Sequence, residues 1–368
     1  MSKNEEVLLT VSNLKLNFHT YAGDVKALDG VSFRIKKGEA LGLVGESGCG
    51  KSVTALAIVG LLPENASVID GEIVLEGKNI IKVAHDEMRK IRANRIAMVF
   101  QDPTTFLNPV LTIGEQLEEV FLLNPERLAR VATEGRIPEG LLEVKEEATH
   151  TKQDAFEAAS AKLSGSQAKK VARELSIDVL KQVRLPDPER ILKQYPHELS
   201  GGMRQRSMIA MALARNPDLF IADEITTALD VTIQAQILEL LRELKKELLG
   251  STLLITHDLG VVAELCDRVA VMYAGNIVEV AYVNELYANP LHPYTQGLMR
   301  AIPMIDRKMD RLETIPGSVP DLIYPPSGCR FHPRCPFAFE KCKLVKPELI
   351  DAGKNHSVAC HLYGEGKP

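Results

Sequence analysis

The sequence predicts an α/β protein built on a parallel sheet covered by helices, and three observations carry that expectation. Short apolar strands alternate with helical stretches along much of the 368 residues. A glycine-rich loop, Gly45–Ser52, joins a buried strand to the start of a helix. A second apolar strand, Leu219–Ala222, runs into the carboxylate pair Asp223-Glu224. At 45% hydrophobic and 25% charged residues the chain is not globally disordered. Its net charge of −5 argues against a strongly basic nucleic-acid binder. No apolar run approaches the length of a membrane span. Met1–Glu6 lacks the apolar core of a secretory signal.

In chain order, Leu8–Val11, Leu14–Phe18, Val31–Ile35 and Ala40–Val44 read as strands, with turns at Gly23-Asp24, Asp29-Gly30 and Lys37-Gly38. Lys51–Leu62 reads as a helix stopped by Pro63. Residues 72–100 alternate strand and helix and end in the strand Ile96–Phe100. Residues 111–198 read as helical and polar. Within them Asn124–Lys170 has weak apolar periodicity and reads as an exposed insertion. Met203–Ala214 is a helix ended by Asn216-Pro217. Thr232–Leu249 is amphipathic, with Ile233, Ile237, Leu240, Leu241, Leu244 and Leu248 on one face. Thr252–Thr256 and Val269–Tyr273 are strands again. From Asn289 onward frequent prolines leave room only for turns and short helices. The expected division is therefore residues 1–288, with a helical subdomain at about 104–215 and the insertion at about 124–170, and a tail at 289–368 that needs a staple.

The loop Gly45-Glu46-Ser47-Gly48-Cys49-Gly50-Lys51-Ser52, followed by Val53, fits G-x-x-x-x-G-K-[ST] in its proper strand–loop–helix setting. Glycines let backbone N–H groups turn inward around phosphate oxygens, and the helix start adds its dipole. Lys51 then reaches the outer phosphates and the Ser52 hydroxyl ligates Mg²⁺. Cys49 reads as a small buried residue rather than a reactive thiol. An acidic pair after a strand is by itself an ordinary helix cap. Downstream of a phosphate loop, Asp223 instead suits Mg²⁺ and Glu224 suits the attacking water. Ser200-Gly201-Gly202, before a helix, forms a second phosphate-binding N-terminus about 150 residues from the first. One nucleotide does not need both, so the second is expected to serve the ATP of a partner chain.

These motifs resemble those of the ATP-binding subunit of an ABC transporter, over residues 8–285. The ordered set comprises the phosphate loop, Gln101, the signature Leu199–Gln205, the pair Asp223-Glu224, Ala228-Leu229-Asp230 and His257. The resemblance implies a P-loop NTPase with a RecA-like core, an antiparallel β-subdomain and a helical signature subdomain, plus a small Cys-rich C-terminal module. It implies that Gln101 joins Ser52 and Asp223 at Mg²⁺ and that His257 faces the γ-phosphate. It also implies that Phe18, or else Tyr21, stacks on adenine, and that Ser200, Gly201, Gly202 and Asp230 face the ATP of the opposed subunit. Ser200–Arg206, Tyr195-Pro196-His197-Glu198, Leu291-His292-Pro293-Tyr294 and Ile315-Pro316-Gly317 are similar to the D-type subunit of oligopeptide/dipeptide importers. That subfamily implies a second, homologous ATPase subunit, two transmembrane permeases and an extracellular or periplasmic substrate-binding protein, with this chain peripheral on the cytoplasmic face of the membrane. The cargo implied is a short peptide or an oligosaccharide. Ile225 stands where the family has proline. A soluble ABC ATPase of DNA repair or translation is the alternative. It would carry a coiled-coil insertion or tandem cassettes, and this chain has one cassette and a cysteine tail.

Cys329, Cys335, Cys342 and Cys360 are spaced C-x5-C-x6-C-x17-C, without a zinc-ribbon knuckle. Free thiols, zinc aided by His332, His356 or His361, and a [4Fe–4S] cluster are the competing readings. The resemblance implies the cluster on these four positions. Its loss is expected to loosen the tail after about Ile315 and to leave ATP binding intact.

Overall fold

The computed structural model describes residues 6–102, 106–124, 165–227, 229–247, 249–301 and 314–363. Most of the insertion expected at 124–170, residues 125–164, lies outside the described residues. The chain divides into two compact units. One comprises Met1–Met88, Ile221–Glu224 and Gly250–Pro368; the other comprises Arg89–Phe220 and Ile225–Leu249.

The strands are β1 (Val7–Thr20), β2 (Gly23–Lys36), β3 (Ala40–Val44), β4 (Ala66–Leu75), β5 (Lys78–Asn79), β6 (Ile96–Val99), β7 (Leu219–Asp223), β8 (Ser251–Thr256), β9 (Arg268–Tyr273), β10 (Asn276–Tyr282), β11 (Ile350–Asp351) and β12 (Ser357–Val358). In the first unit β2-β1-β4-β5 form an antiparallel sheet. The two short strands expected before Thr20 are one long strand. Asn13 takes a left-handed conformation, φ 48°, and the register slips between Val11 and Leu14, so a bulge replaces the break. Asp29-Gly30 is likewise no turn: Gly30, at φ 82°, lies inside β2.

The second sheet of this unit runs β11-β12-β10-β9-β3-β8 and on to the end of β7. β3 pairs in parallel with both β8 and β9, as the strand–helix alternation predicts, and all five of its residues are buried. β10 returns antiparallel to β9. The helix after the glycine loop spans Lys51–Val59. Gly60 ends it in a left-handed cap, φ 63°, with Leu61 N donating to Leu56 O, so the glycine stops it before Pro63 is reached.

The tail is not set apart as a separate module. β12 pairs with β10 at Glu279↔Val358 and Val280↔Ser357, extending the sheet of the first unit. Phe331 and Tyr294 are buried against Tyr273 of β9, with ring centroids 5.1 and 4.7 Å from it. Each such aromatic pair contributes about 0.5–1.5 kcal/mol beyond its area. The tail, which the sequence reads as short of core residues, has this aromatic cluster in addition to its cysteines.

In the second unit the helices Ile113–Leu122, Gly165–Gln182, Gly201–Leu213 and Val231–Glu247 carry the packing. Thr112 and Glu115 form a capping box at the first. In the last, Ile237, Leu240, Leu241 and Leu244 are buried, the face predicted from the spacing; the side chain of Leu248 lies outside the described residues. Among the described residues no helix is long and apolar enough to cross a membrane.

Candidate nucleotide site

The glycine loop is shaped by what a side chain would strike. A Cβ on Gly45 would lie 2.1 Å from the Met272 carbonyl oxygen, and Gly50 caps the helix at φ 106°. Lys51, only 4% exposed, donates from Nζ to the carbonyls of Gly45 at 2.8 Å and Glu46 at 3.1 Å. A buried ammonium held mainly by neutral carbonyls is under-compensated, and a phosphate would complete it. Ser47 and Gly48 are exposed at the loop's tip, and Val53 is half-buried in the first helical turn. Cys49 is 1% exposed and burial pushes its thiol pKa up, which makes it inert as the sequence reading expects.

β7 delivers the carboxylates. Ser52 Oγ donates to Asp223 Oδ1 at 3.1 Å. Burial pushes Asp223 up to about 6, and the neighbouring Glu224 charge adds to this against the Ser52 hydrogen bond and Lys51. A hydroxyl and a buried carboxylate side by side are hard oxygen donors suited to a divalent cation, whose charge would offset that burial cost. Glu224 takes φ 46°, a strained conformation for a non-glycine residue. Its N–H donates to the Ile255 carbonyl of β8 at 2.9 Å, and its Oε1 lies 3.9 Å from Lys51 Nζ and 3.5 Å from His257 Nδ1. His257, half exposed, follows β8 directly. The first unit therefore gathers Lys51, Ser52, Asp223, Glu224 and His257 into one constellation.

Phe18 sits half-buried in β1, paired with Val25 and Ala66. Tyr21, in the β1–β2 turn, is fully exposed. The remaining nucleotide-site residues predicted from the sequence belong to the second unit. Ser200 caps the helix Gly201–Leu213 by accepting from Met203 N at 3.3 Å. A Cβ on Gly202 would meet Ile233 Cγ2 at 2.7 Å, and Gly201 faces Leu229. Asp230 Oδ1 accepts from Ile233 N at 3.0 Å at the start of its own helix, and the contacts of Gly201 and Gly202 with Leu229 and Ile233 pack the two helix starts together. Among the described residues the buried Arg204 Nε and Gln205 Nε2 have no hydrogen-bond partner. Gln101 is exposed just beyond β6, and Ile225 is buried.

The four tail cysteines line one cavity, with His292, Phe331, His332, Phe337 and His361 around them. Burial pushes Cys329 up to about 11 and Cys360 up to about 12, and raises Cys335; each is further opposed by neighbouring thiols. Such thiols ionise only beside a compensating cation, and the donor set fits a thiophilic metal centre. Among the described residues, however, no three Cys, His, Asp or Glu side chains are arranged around a single ion. His356, offered by the sequence as a nitrogen ligand, is instead 2.6 Å from Glu279. What the sequence reading missed is the reach of the tail into the nucleotide site, where Arg334 and Tyr294 contact Glu46. The motif Leu291-His292-Pro293-Tyr294 was visible, but nothing in its spacing says what Tyr294 touches.

Comparison with known proteins shows which family the chain is similar to. The ABC transporter family matches residues 28–227, and the oligopeptide/dipeptide transporter C-terminal region matches residues 278–342. The chain is 46% identical over 359 residues to the oligopeptide transport ATP-binding protein AppD of Bacillus subtilis, covering 97% of each chain. It is 46% identical over 358 residues to the dipeptide transport ATP-binding protein DppD of the same organism, covering 97% of this chain and 95% of that one. Among solved structures, a dimeric ATP-binding cassette in a post-hydrolysis state with ADP and Pi superposes with a TM-score of 0.56 at 26% identity, covering 75% of this chain and 99% of that one. CbiO1 of Clostridium perfringens, part of an ABC transporter complex, gives 0.55 at 26%, covering 77% and 92%. The matched cassette, the matched tail and the near full-length likeness to these relatives lead to one conclusion: this chain belongs to the ABC transporter family, among the ATP-binding subunits that carry the oligopeptide/dipeptide transporter C-terminal region.

Proposed function

We propose that this chain is one of two ATPase subunits that energise import of short peptides through a pair of membrane permeases fed by an extracellular or periplasmic binding protein, working from the cytoplasmic face of the membrane. The observation that carries the reading is likeness over nearly the whole chain, tail included, to subunits named for oligopeptide and dipeptide transport. Those names favour peptide over oligosaccharide cargo and leave the DNA-repair or translation alternative without support.

The backbone amides of Gly48–Ser52 and the Lys51 ammonium hold the phosphates. Ser52 and Asp223 would hold Mg²⁺, which when bound would neutralise phosphate charge; the role of Gln101 rests on the resemblance alone. Glu224 orients and deprotonates the attacking water, and its left-handed backbone, tied to β8, fixes the direction of approach. His257 donates toward the γ-phosphate. Tyr21 or Phe18 stacks on adenine; the exposed ring of Tyr21 and the half-buried ring of Phe18 leave both in play. Ser200, Gly201, Gly202 and Asp230 serve the ATP of the homologous subunit, a role supported by the Ser200 cap and the dimeric form of the solved cassette.

Cys329, Cys335, Cys342 and Cys360 hold a [4Fe–4S] cluster that locks the tail. What supports the cluster is that the four thiols line one cavity, and that the resemblance puts a cluster on these four positions. The test is reconstitution of the complex in vesicles: peptide-loaded binding protein should stimulate ATP hydrolysis and peptide should accumulate inside. Stimulation by oligosaccharide alone would overturn the peptide assignment.

A further inference from the structure

Glu46, second residue of the phosphate loop, is gripped from the far end of the sequence. The Arg334 guanidinium forks onto its carboxylate, with Nη1 2.7 Å from Oε2 and Nη2 3.1 Å from Oε1. The same guanidinium is fixed on its other edges: Nε donates to Pro316 O at 2.9 Å, Nη2 to Ile315 O at 3.3 Å, and Nη1 to the Tyr273 hydroxyl at 3.4 Å. Its side chain is only 5% exposed. A second tether acts on the main chain. The Glu46 N–H donates to the Tyr294 hydroxyl at 2.9 Å, and the Tyr294 ring is fully buried. The carbonyl of the same residue accepts from Lys51 Nζ at 3.1 Å. Glu46 thus has its side chain on Arg334, its amide on Tyr294 and its carbonyl on the lysine that meets phosphate.

A bidentate guanidinium–carboxylate pair fixes direction as well as distance, because its planar fork admits one relative orientation. Held so, the Glu46 peptide cannot rotate without breaking the ion pair, and the carbonyl on which Lys51 rests is set in place. We infer that Arg334 is a positioning residue of the ATPase: through Glu46, and together with Tyr294, it holds the phosphate loop and Lys51 in the arrangement that accepts ATP, and so makes nucleotide binding depend on the C-terminal segment. This rests on the nucleotide-site reading above. It also runs against the sequence expectation that the tail and ATP binding are separable, since Arg334 immediately precedes Cys335.

The test uses the full chain purified with its partner subunits. Arg334→Gln, Arg334→Lys, Glu46→Ala and the double variant Glu46→Ala/Arg334→Gln are assayed for KM and kcat with MgATP, affinity for a fluorescent ATP analogue, and labelling of the tail cysteines. Arg334→Gln should raise KM for ATP by about tenfold, with kcat changed much less, and leave the cysteines as protected as in the wild type. Arg334→Lys should recover only part of the loss, because an ammonium cannot fork. In the Glu46→Ala background, Arg334→Gln should add less than about twofold, because both act through one contact. Wild-type KM in Arg334→Gln, full multiplication of the two effects in the double variant, or a loss of affinity that merely follows cysteine exposure would each overturn the inference and leave Arg334 a structural anchor. Failure of the wild-type protein to bind ATP would instead overturn the nucleotide reading itself.

Discussion

Glu279 of β10 and His356 of the tail meet in the protein interior, with His356 Nε2 2.6 Å from Glu279 Oε1 and both side chains at most 2% exposed. The same carboxylate accepts from the backbone N–H groups of Leu291 at 2.7 Å and His292 at 2.9 Å. One buried acid therefore gathers three donors from two separate stretches of the tail.

Removing that acid strands the donors. Glu279→Ala is expected to destabilise the docking of the tail by about 2–5 kcal/mol, since each buried unpaired group costs about 1–3 kcal/mol. Hydrogen exchange should rise across residues 289–363 while β3 and β8 stay protected. Glu279→Gln, which keeps an acceptor, should cost less. Unchanged protection in Glu279→Ala would show that the contact is not what holds the tail.

Glu224→Gln is expected to retain ATP binding and lose hydrolysis by about 10²–10⁴-fold, the usual contribution of a general base. The ATPase pair should then persist in its closed, ATP-bound form, visible as slowed subunit exchange. Lys51→Ala should differ in kind by weakening nucleotide binding itself. Wild-type turnover in Glu224→Gln would remove it from the role assigned here.

Acid should loosen the tail through His292. Burial lowers its pKa from 6.5 to about 3, and its Nδ1 accepts from Tyr294 N, which requires the neutral ring. Below pH 6.5 the unfolded chain takes up a proton that the folded one refuses. Stability from this group is therefore full above pH 6.5 and falls by up to about 1.4 kcal/mol per pH unit toward pH 3. His292→Asn keeps a capping acceptor and removes the titration, so its melting temperature should depend less steeply on pH between 6.5 and 5. Identical pH slopes in the two proteins would exclude His292 as the source.

Anaerobically purified protein is expected to be brown, with about four irons per chain, and Cys342→Ser should lose the iron. Because Arg334 adjoins Cys335 and grips Glu46, that variant should also weaken ATP binding measurably. Intact ATP affinity in an iron-free protein would restore the separation of tail and nucleotide site that the sequence suggests. One tightly held zinc in colourless protein would replace the cluster assignment.

The elements that carry the nucleotide motifs were legible in the sequence because they are local. Gly45–Ser52 is a continuous segment whose strand, loop and helix are each set by short-range preferences. Asp223-Glu224 likewise stands at the end of an apolar strand that only a buried position explains. The amphipathic face of the helix Val231–Glu247 could be read from its spacing. Boundaries were less legible. Asn13 and Gly30 look like breaks, yet a paired neighbour strand converts each into a bulge, and Gly60 ends its helix three residues before the proline that seemed to do so.

The sequence by itself determined that this chain has a phosphate loop, a carboxylate strand, a signature helix start and four clustered cysteines. Only the tertiary structure decided that the tail joins the sheet through β12, buries Tyr294 and Phe331 against Tyr273, and sends Arg334 to Glu46. The physical reason is sequence separation. Glu46 and Arg334 lie 288 residues apart, and no local preference encodes such a contact. It exists because β9, β10 and β12 stack side by side and carry the cysteine segment back to the loop. Ion pairing and aromatic burial then fix a juxtaposition that chain connectivity alone leaves open.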